Sequence, residues 1–290
     1  MKILSHVCFM VAVTSCLLMA GCSAVLMPER HLGDTVVDAE ETWQGTVRIS
    51  GVVTVKKSGK LVIKPGTKVL FKRIDRDGDG IGDSELLVEG ALIARGTVDA
   101  PIIFTSAEKN PQKADWKYLY LDFARQAEIE HVISEYAYSG IQVHFCKATI
   151  KNSIFRHNVD GVRFSTVNIV VQGNRIYDNK HGLRYEERRS SAEVTGNDIR
   201  DNEIGIFVVT RSDDKARISR NNIVANSRYN VKLGISQHAD VTLPQNWWGE
   251  LSAEKIEESF FDKKQDASLG RVRALKPLLS PVKLAAIDRE

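Results

Sequence analysis

The sequence predicts an all-β chain wound as a coil of short parallel strands, and three observations lead there. First, the stretch from Ile129 to Leu233 repeats itself: Gly140-Ile-Gln-Val, Gly161-Val-Arg-Phe, Gly182-Leu-Arg-Tyr, Gly205-Ile-Phe-Val and Asn230-Val-Lys-Leu follow one another at spacings of 21, 21, 23 and 25 residues. Second, each repeat holds short β-type pieces separated by Asn and Gly, none reaching the roughly 10–12 residues a packed helix needs. Third, apolar residues alternate within each landmark. Ile141/Val143, Val162/Phe164, Leu183/Tyr185, Ile206/Val208 and Val231/Leu233 therefore become inward columns if each strand pairs with its copy one turn away.

Other columns run in parallel. Ile129, Ile150, Val171, Val194 and Ile218 form one, and Phe155, Ile176, Ile199 and Ile223 another. Asn158, Asn179, Asn202 and Asn226 form a polar one, suited to bends because Asn tolerates left-handed backbone and its amide can bond local backbone or its own copy. This column reads as structural.

With these motifs in view, the chain resembles right-handed parallel β-helix proteins with short repeats, of the kind found in pectate lyases and NosD-like periplasmic proteins. The resemblance rests on the Asn-rich repeats, Gly96-Thr-Val-Asp-Ala-Pro-Ile-Ile-Phe-Thr-Ser106, Ala114-Asp-Trp-Lys117, and Asn246-Trp-Trp-Gly249 with Leu269-Gly-Arg-Val and Pro277-Leu-Leu-Ser-Pro281. It implies a right-handed coil, which periodicity alone does not give.

Taken in order, residues 1–21 carry one Lys, an apolar run and then Met19-Ala20-Gly21-Cys22, which resembles a bacterial lipoprotein signal. That resemblance implies cleavage before Cys22, acylation of Cys22 and, with Ser23 next, anchoring in the outer membrane. Residues 22–42 read as a tether, 43–249 as the coil with an acidic insertion at 75–85, and 250–290 as a C-terminal cap. Within the cap, Ser252 to about Lys264 has acids early and lysines late, which predicts a short amphipathic helix covering the coil end. Trp116 reads as a packing residue. Of Trp247 and Trp248, one is expected to close the core and the other to lie on the surface.

Lys+Arg 40 against Asp+Glu 37 leaves a net charge of +3, which gives no reason to expect a nucleic-acid partner. Four cysteines, two of them in the apolar leader, exclude a disulfide framework. Cys146, beside a strand end, reads as a small buried side chain. No Gly-rich phosphate loop, His/Cys metal spacing or nucleophile elbow occurs.

The acidic insertion is the most chemical motif. Asp75, Asp77, Asp79, Asp83 and Glu85 alternate with glycines so that hard oxygens can surround one Ca²⁺. Glu85 comes one place early for an EF-hand loop, and the stretch resembles more closely the Asp-x-Asp-Gly-Asp-Gly loops of extracellular calcium repeats. The ion is expected to brace the loop.

Two catalytic arrangements are conceivable. His157, Asp178, Asp201 and Ala225 precede the Asn column, and stacking could set the Asp178 and Asp201 carboxyls near the roughly 5 Å of a retaining glycosidase. Alternatively, Arg163 or Arg184 could act as a lyase base, with the calcium loop several turns away. A non-catalytic reading asks less: Gln142, His144, Arg163, Arg184, Phe207 and Lys232, with the Arg188-Arg189 and Arg211 loops nearby, would form a mildly basic outward face. Such a face suits an extended anionic glycan or an envelope protein. The expectation is a membrane-anchored binding or scaffold lipoprotein, with a polysaccharide lyase or glycoside hydrolase as the alternative.

Overall fold

The computed structural model describes residues 29–187, 191–213 and 215–284. Its body is three parallel sheets of nine, ten and eight strands, and each of the first eight coils contributes one strand to each. The coil of the clear repeats shows the order. Ile154–Arg156 belongs to the first sheet, Asp160–Ser165 to the second and Asn168–Gln172 to the third, after which Arg175–Tyr177 returns to the first. The strands are short because a corner interrupts the chain every few residues, and each strand finds its partners only on the coils above and below.

The predicted inward columns are stacked in register. Val162 pairs with Leu183 and Leu183 with Ile206, while Phe164 pairs with Tyr185 and Tyr185 with Val208. All six are buried. Each fully buried aliphatic side chain of this kind contributes roughly 1.5–3 kcal/mol. Trp116 is also a core residue: it stacks on Phe71 with centroids 4.1 Å apart, and its indole N–H donates to Glu135 O at 2.9 Å.

The corner between the first and second sheets is held by the expected Asn column. Asn158 Nδ2 donates to Asn179 Oδ1 at 3.1 Å, Asn179 Nδ2 to Asn202 Oδ1 at 3.0 Å, and Asn202 Nδ2 to Asn226 Oδ1 at 3.0 Å. Each amide also satisfies backbone that the corner removes from the sheets, as Asn179 does for Phe155 O and Tyr177 O. The Gly landmarks follow from this ladder. A Cβ on Gly161 would stand 2.7 Å from Gly182 O and 3.0 Å from Asn179 Nδ2, so only glycine lets the strand start that close.

A second ladder, not anticipated from the sequence, holds the corner between the third and first sheets: Asn174, Asn197, Asn221 and Asn246, linked at 2.9, 2.9 and 3.0 Å. The remaining corner is apolar inside. Ala124, Cys146 and Val167 are buried there, and burial pushes the Cys146 thiol up to about 11.

Two boundaries differ from expectation. Strands begin at Arg30–Leu32, Thr35–Val37 and Glu40–Trp43, so residues 30–42 form the first coil rather than a tether, because Leu32, Val37 and Trp43 turn inward onto the next coil. The cap helix spans only Ala253–Glu258, since Phe260–Phe261 goes extended and pairs with Tyr229–Ser236 as the last strand of the second sheet. Trp248 is the tryptophan that closes the core, packed edge-on to Phe260, while Trp247 is half-buried. The leader at 1–21, Cys22, Arg188 and Arg189 lie outside the described residues.

Candidate functional site: the outer face of the second sheet

Parallel pairing converts one outward position per coil into a line of neighbours about 4.8 Å apart. On the second sheet that line is Tyr120, Gln142, Arg163, Arg184, Phe207, Lys232 and Phe261. Its members interact along the rod. The Arg184 guanidinium lies 5.6 Å from the Phe207 ring centroid, and Lys232 Nζ sits between Phe207 and Phe261 at 5.6 and 5.4 Å. Cation–ring contacts of this kind are worth about 0.5–1 kcal/mol at exposed positions and hold the charges over the sheet.

Gln142 departs from the expected role. It is 6% exposed, with the Ser139 hydroxyl 3.5 Å from its Oε1, so it belongs to the wall rather than to the contact surface. His144 is half-buried, with Nδ1 3.1 Å from the Tyr120 hydroxyl. Burial, followed by the nearby Asp122 carboxylate, pushes that phenol up to about 12.

The centre of the face is a residue that sequence reasoning did not single out. Asp160 is fully buried, with Oδ1 2.7 Å from His181 Nδ1 and Oδ2 accepting from Arg184 Nη1 at 3.1 Å. Arg163 Nη1 stands 3.8 Å away. Two guanidiniums and an imidazole thus share one carboxylate, and the Arg184 Nε–H is buried with no hydrogen-bond partner. Asp160 positions both arginines. The only clue in the sequence was its place just before a Gly landmark, where the other coils carry Ser139, His181, Ile204 and Tyr229.

Ser139, Asp160 and His181 sit in register on successive strands. The acid stands between the hydroxyl and the imidazole, which puts Ser139 and His181 two strands, or roughly 9.6 Å, apart at the backbone. That order does not build a nucleophile activated by its base. Beside the arginines, His144, Phe145, Ser165 and Glu186 complete a depression of about 280 Å³.

Asp178 and Asp201 lie elsewhere, at the corner between the first and second sheets, where His157, Asp178, Asp201 and Ala225 all take left-handed backbone with φ of 57, 54, 55 and 53°. With Lys113, Lys180 and Glu203 they border an open depression of about 600 Å³. Lys113 reaches it from the 107–115 loop and donates to Asp178 O at 2.6 Å, and burial lowers both the Lys113 ammonium and the His157 imidazole from their usual range. The Asp201 carboxylate is engaged by Arg200. The column is real, but its acids serve a bend. Arg211 likewise lies in left-handed backbone at an exposed turn.

In the acidic insertion, Asp75, Asp77 and Asp79 each present a carboxylate oxygen within 4.8 Å of the others. Asp75 takes the Gly78 and Gly80 N–H groups, and Asp79 takes that of Ile81. Asp83 turns instead to Arg76 N at 2.7 Å. Glu85 opens the next strand, where burial raises its carboxyl against the pull of Lys117. Among the described residues, these three aspartates are the carboxylates that lie close enough together to share a metal ion.

No curated protein and no solved structure matches the chain. Residues 112–246 match the family model described as a right handed beta helix region, and the coil to which they belong is a right-handed parallel β-helix.

Proposed function

We propose that the chain is an envelope lipoprotein, held to the outer membrane by acylated Cys22, whose β-helix binds an extended anionic glycan without cleaving it. The observation that carries the glycan reading is the in-register line of Arg163, Arg184, Phe207 and Lys232, which repeats cation and ring contacts at strand spacing along a straight face. An extended polyanion meets one group per coil there, while rings can lie against sugar faces. The anchoring reading is supported by the leader and Cys22 alone; no helix among the described residues is long and apolar enough to cross a membrane. The non-catalytic reading is supported by the engagement of three of the four candidate groups: Arg184 and Arg163 with Asp160, and Asp201 with Arg200. Ca²⁺ at Asp75, Asp77 and Asp79 is proposed as a brace for the insertion.

The test is binding of the full chain to polygalacturonate, with neutral dextran as control. Salt-sensitive binding to the acidic polymer is expected, roughly tenfold weaker in Arg163→Ala/Lys232→Ala, with no new reducing ends and no unsaturated uronates. Either product would establish the lyase or hydrolase reading instead, and a chain that ignores acidic glycans altogether would remove the proposal.

A further inference from the structure

A second cavity lies away from the second-sheet face. It is a basin of about 840 Å³ where the 107–115 loop overhangs the ends of the first-sheet strands, and its walls carry His31, Arg48, Lys72, Arg73 and Lys109. These residues are far apart in the sequence. The coil stacks them: Arg48 lies in the strand Thr46–Ile49, which pairs with Lys68–Phe71, and Lys72 and Arg73 directly follow the latter. Lys109 comes from the overhanging loop.

The acids around the basin are already engaged. Glu108 accepts from the Arg73 N–H at 3.1 Å, and Arg48 pairs with Glu29 at the rim. Asp115 is buried, accepting from the Ser106 hydroxyl at 2.7 Å and from the Gln112 N–H at 2.9 Å, and stands 3.6 Å from Arg73 Nη1. Asp115 on one side, and Gly80 O accepting from Nη2 at 3.2 Å with Asp75 Oδ2 at 3.9 Å on the other, hold Arg73 against the wall. Among the described residues, Lys72 and Lys109 have no recorded ion pair. Ser50, Asn110 and Gln112 add neutral polar groups.

We infer that this basin binds a phosphate monoester. A dianion meets two lysines without acidic partners, beside the positive charge of an arginine fixed by Asp115 and Gly80 O, an arrangement that suits a tetrahedral dianion better than a single carboxylate. The remaining volume is that of a small-molecule site and leaves room for a glycerol- or sugar-sized group. A soluble phosphate ester and a phosphomonoester lipid headgroup share this chemistry.

The full chain carrying Cys22→Ala, so that acylation contributes nothing, separates the two sources. It is titrated with glycerol phosphate, with glycerol, and with phosphatidylcholine vesicles prepared with and without phosphatidic acid. Saturable, salt-sensitive binding to glycerol phosphate but not glycerol assigns a soluble ligand, and binding only to the phosphatidic acid vesicles assigns a headgroup. In either case Lys72→Ala/Lys109→Ala is expected to bind roughly tenfold more weakly while melting at the parent temperature, since both side chains are exposed. Arg163→Ala/Lys232→Ala leaves this binding unchanged, which keeps it separate from the glycan reading. Absence of binding to both phosphates, or a lysine double variant that binds as the parent does, overturns the inference.

Discussion

The coils before and after Val132 share three sheets but close their corners by different means. In the later coils two corners are threaded by Asn ladders whose amides satisfy one another and the backbone, and the spacing stays at 21 to 25 residues. In the earlier coils the same corners are made by individual devices. At the corner between the third and first sheets, where Asn197 stands later, the chain uses Lys64-Pro65-Gly66-Thr67, with the buried Thr67 hydroxyl donating to Lys64 O at 2.7 Å. The acidic insertion and the 107–115 overhang both lie in this earlier half. A ladder constrains the length of every coil it passes through, because each amide must meet its copy. Corners solved one at a time leave room for loops.

The strongest way to break this comparison is Asn197→Ala. It takes the acceptor from the Asn174 N–H and leaves the Asn174 amide only Ile150 O, Asn221 Oδ1 keeps the residue 197 N–H but loses the amide donor, and Val171 O and Thr195 O lose their donor. A cost of about 3 kcal/mol is expected, read as a lower urea midpoint. Thr67→Ala at the corresponding earlier corner removes one short local bond and should cost about 1 kcal/mol by the same measurement. Equal costs would mean that the ladder adds nothing beyond its separate bonds. The smallest effect concerns the insertion: at calcium well above its Kd the melting temperature should rise by about 2–4 °C, and Asp77→Ala/Asp79→Ala should abolish the rise. A variant that matches the parent in both calcium and chelator would leave the three aspartates as a solvated turn.

Periodicity made the core legible because Val162, Leu183 and Ile206 repeat both a residue class and a spacing. The first Asn ladder was legible for the same reason. The second, at spacings of 23, 24 and 25 residues, escaped because its last member, Asn246, sits inside the Asn-Trp-Trp-Gly motif. Asp160 and His181 escaped for a deeper reason: their column carries Ser139, Asp160, His181, Ile204 and Tyr229, which share no chemistry, so no pattern marks it. The first coil was hidden by its polar outward residues, since Leu32, Val37 and Trp43 alone carry its inward signal. The cationic basin depends on an overhang, which no local pattern encodes.

The ladders also give the rod an electrical direction. In both, from Asn158 to Asn226 and from Asn174 to Asn246, every amide but the last donates to the amide oxygen of its copy on the following coil. Dipoles aligned head to tail add and polarise one another. At the early end of the first series the Ala137 N–H donates to the buried Asn158 Oδ1, and at the late end Asn226 Nδ2 donates to Asn230 Oδ1. Reversing a single amide in the middle would set oxygen against oxygen on one side and hydrogen against hydrogen on the other, so the orientation of all four is chosen together.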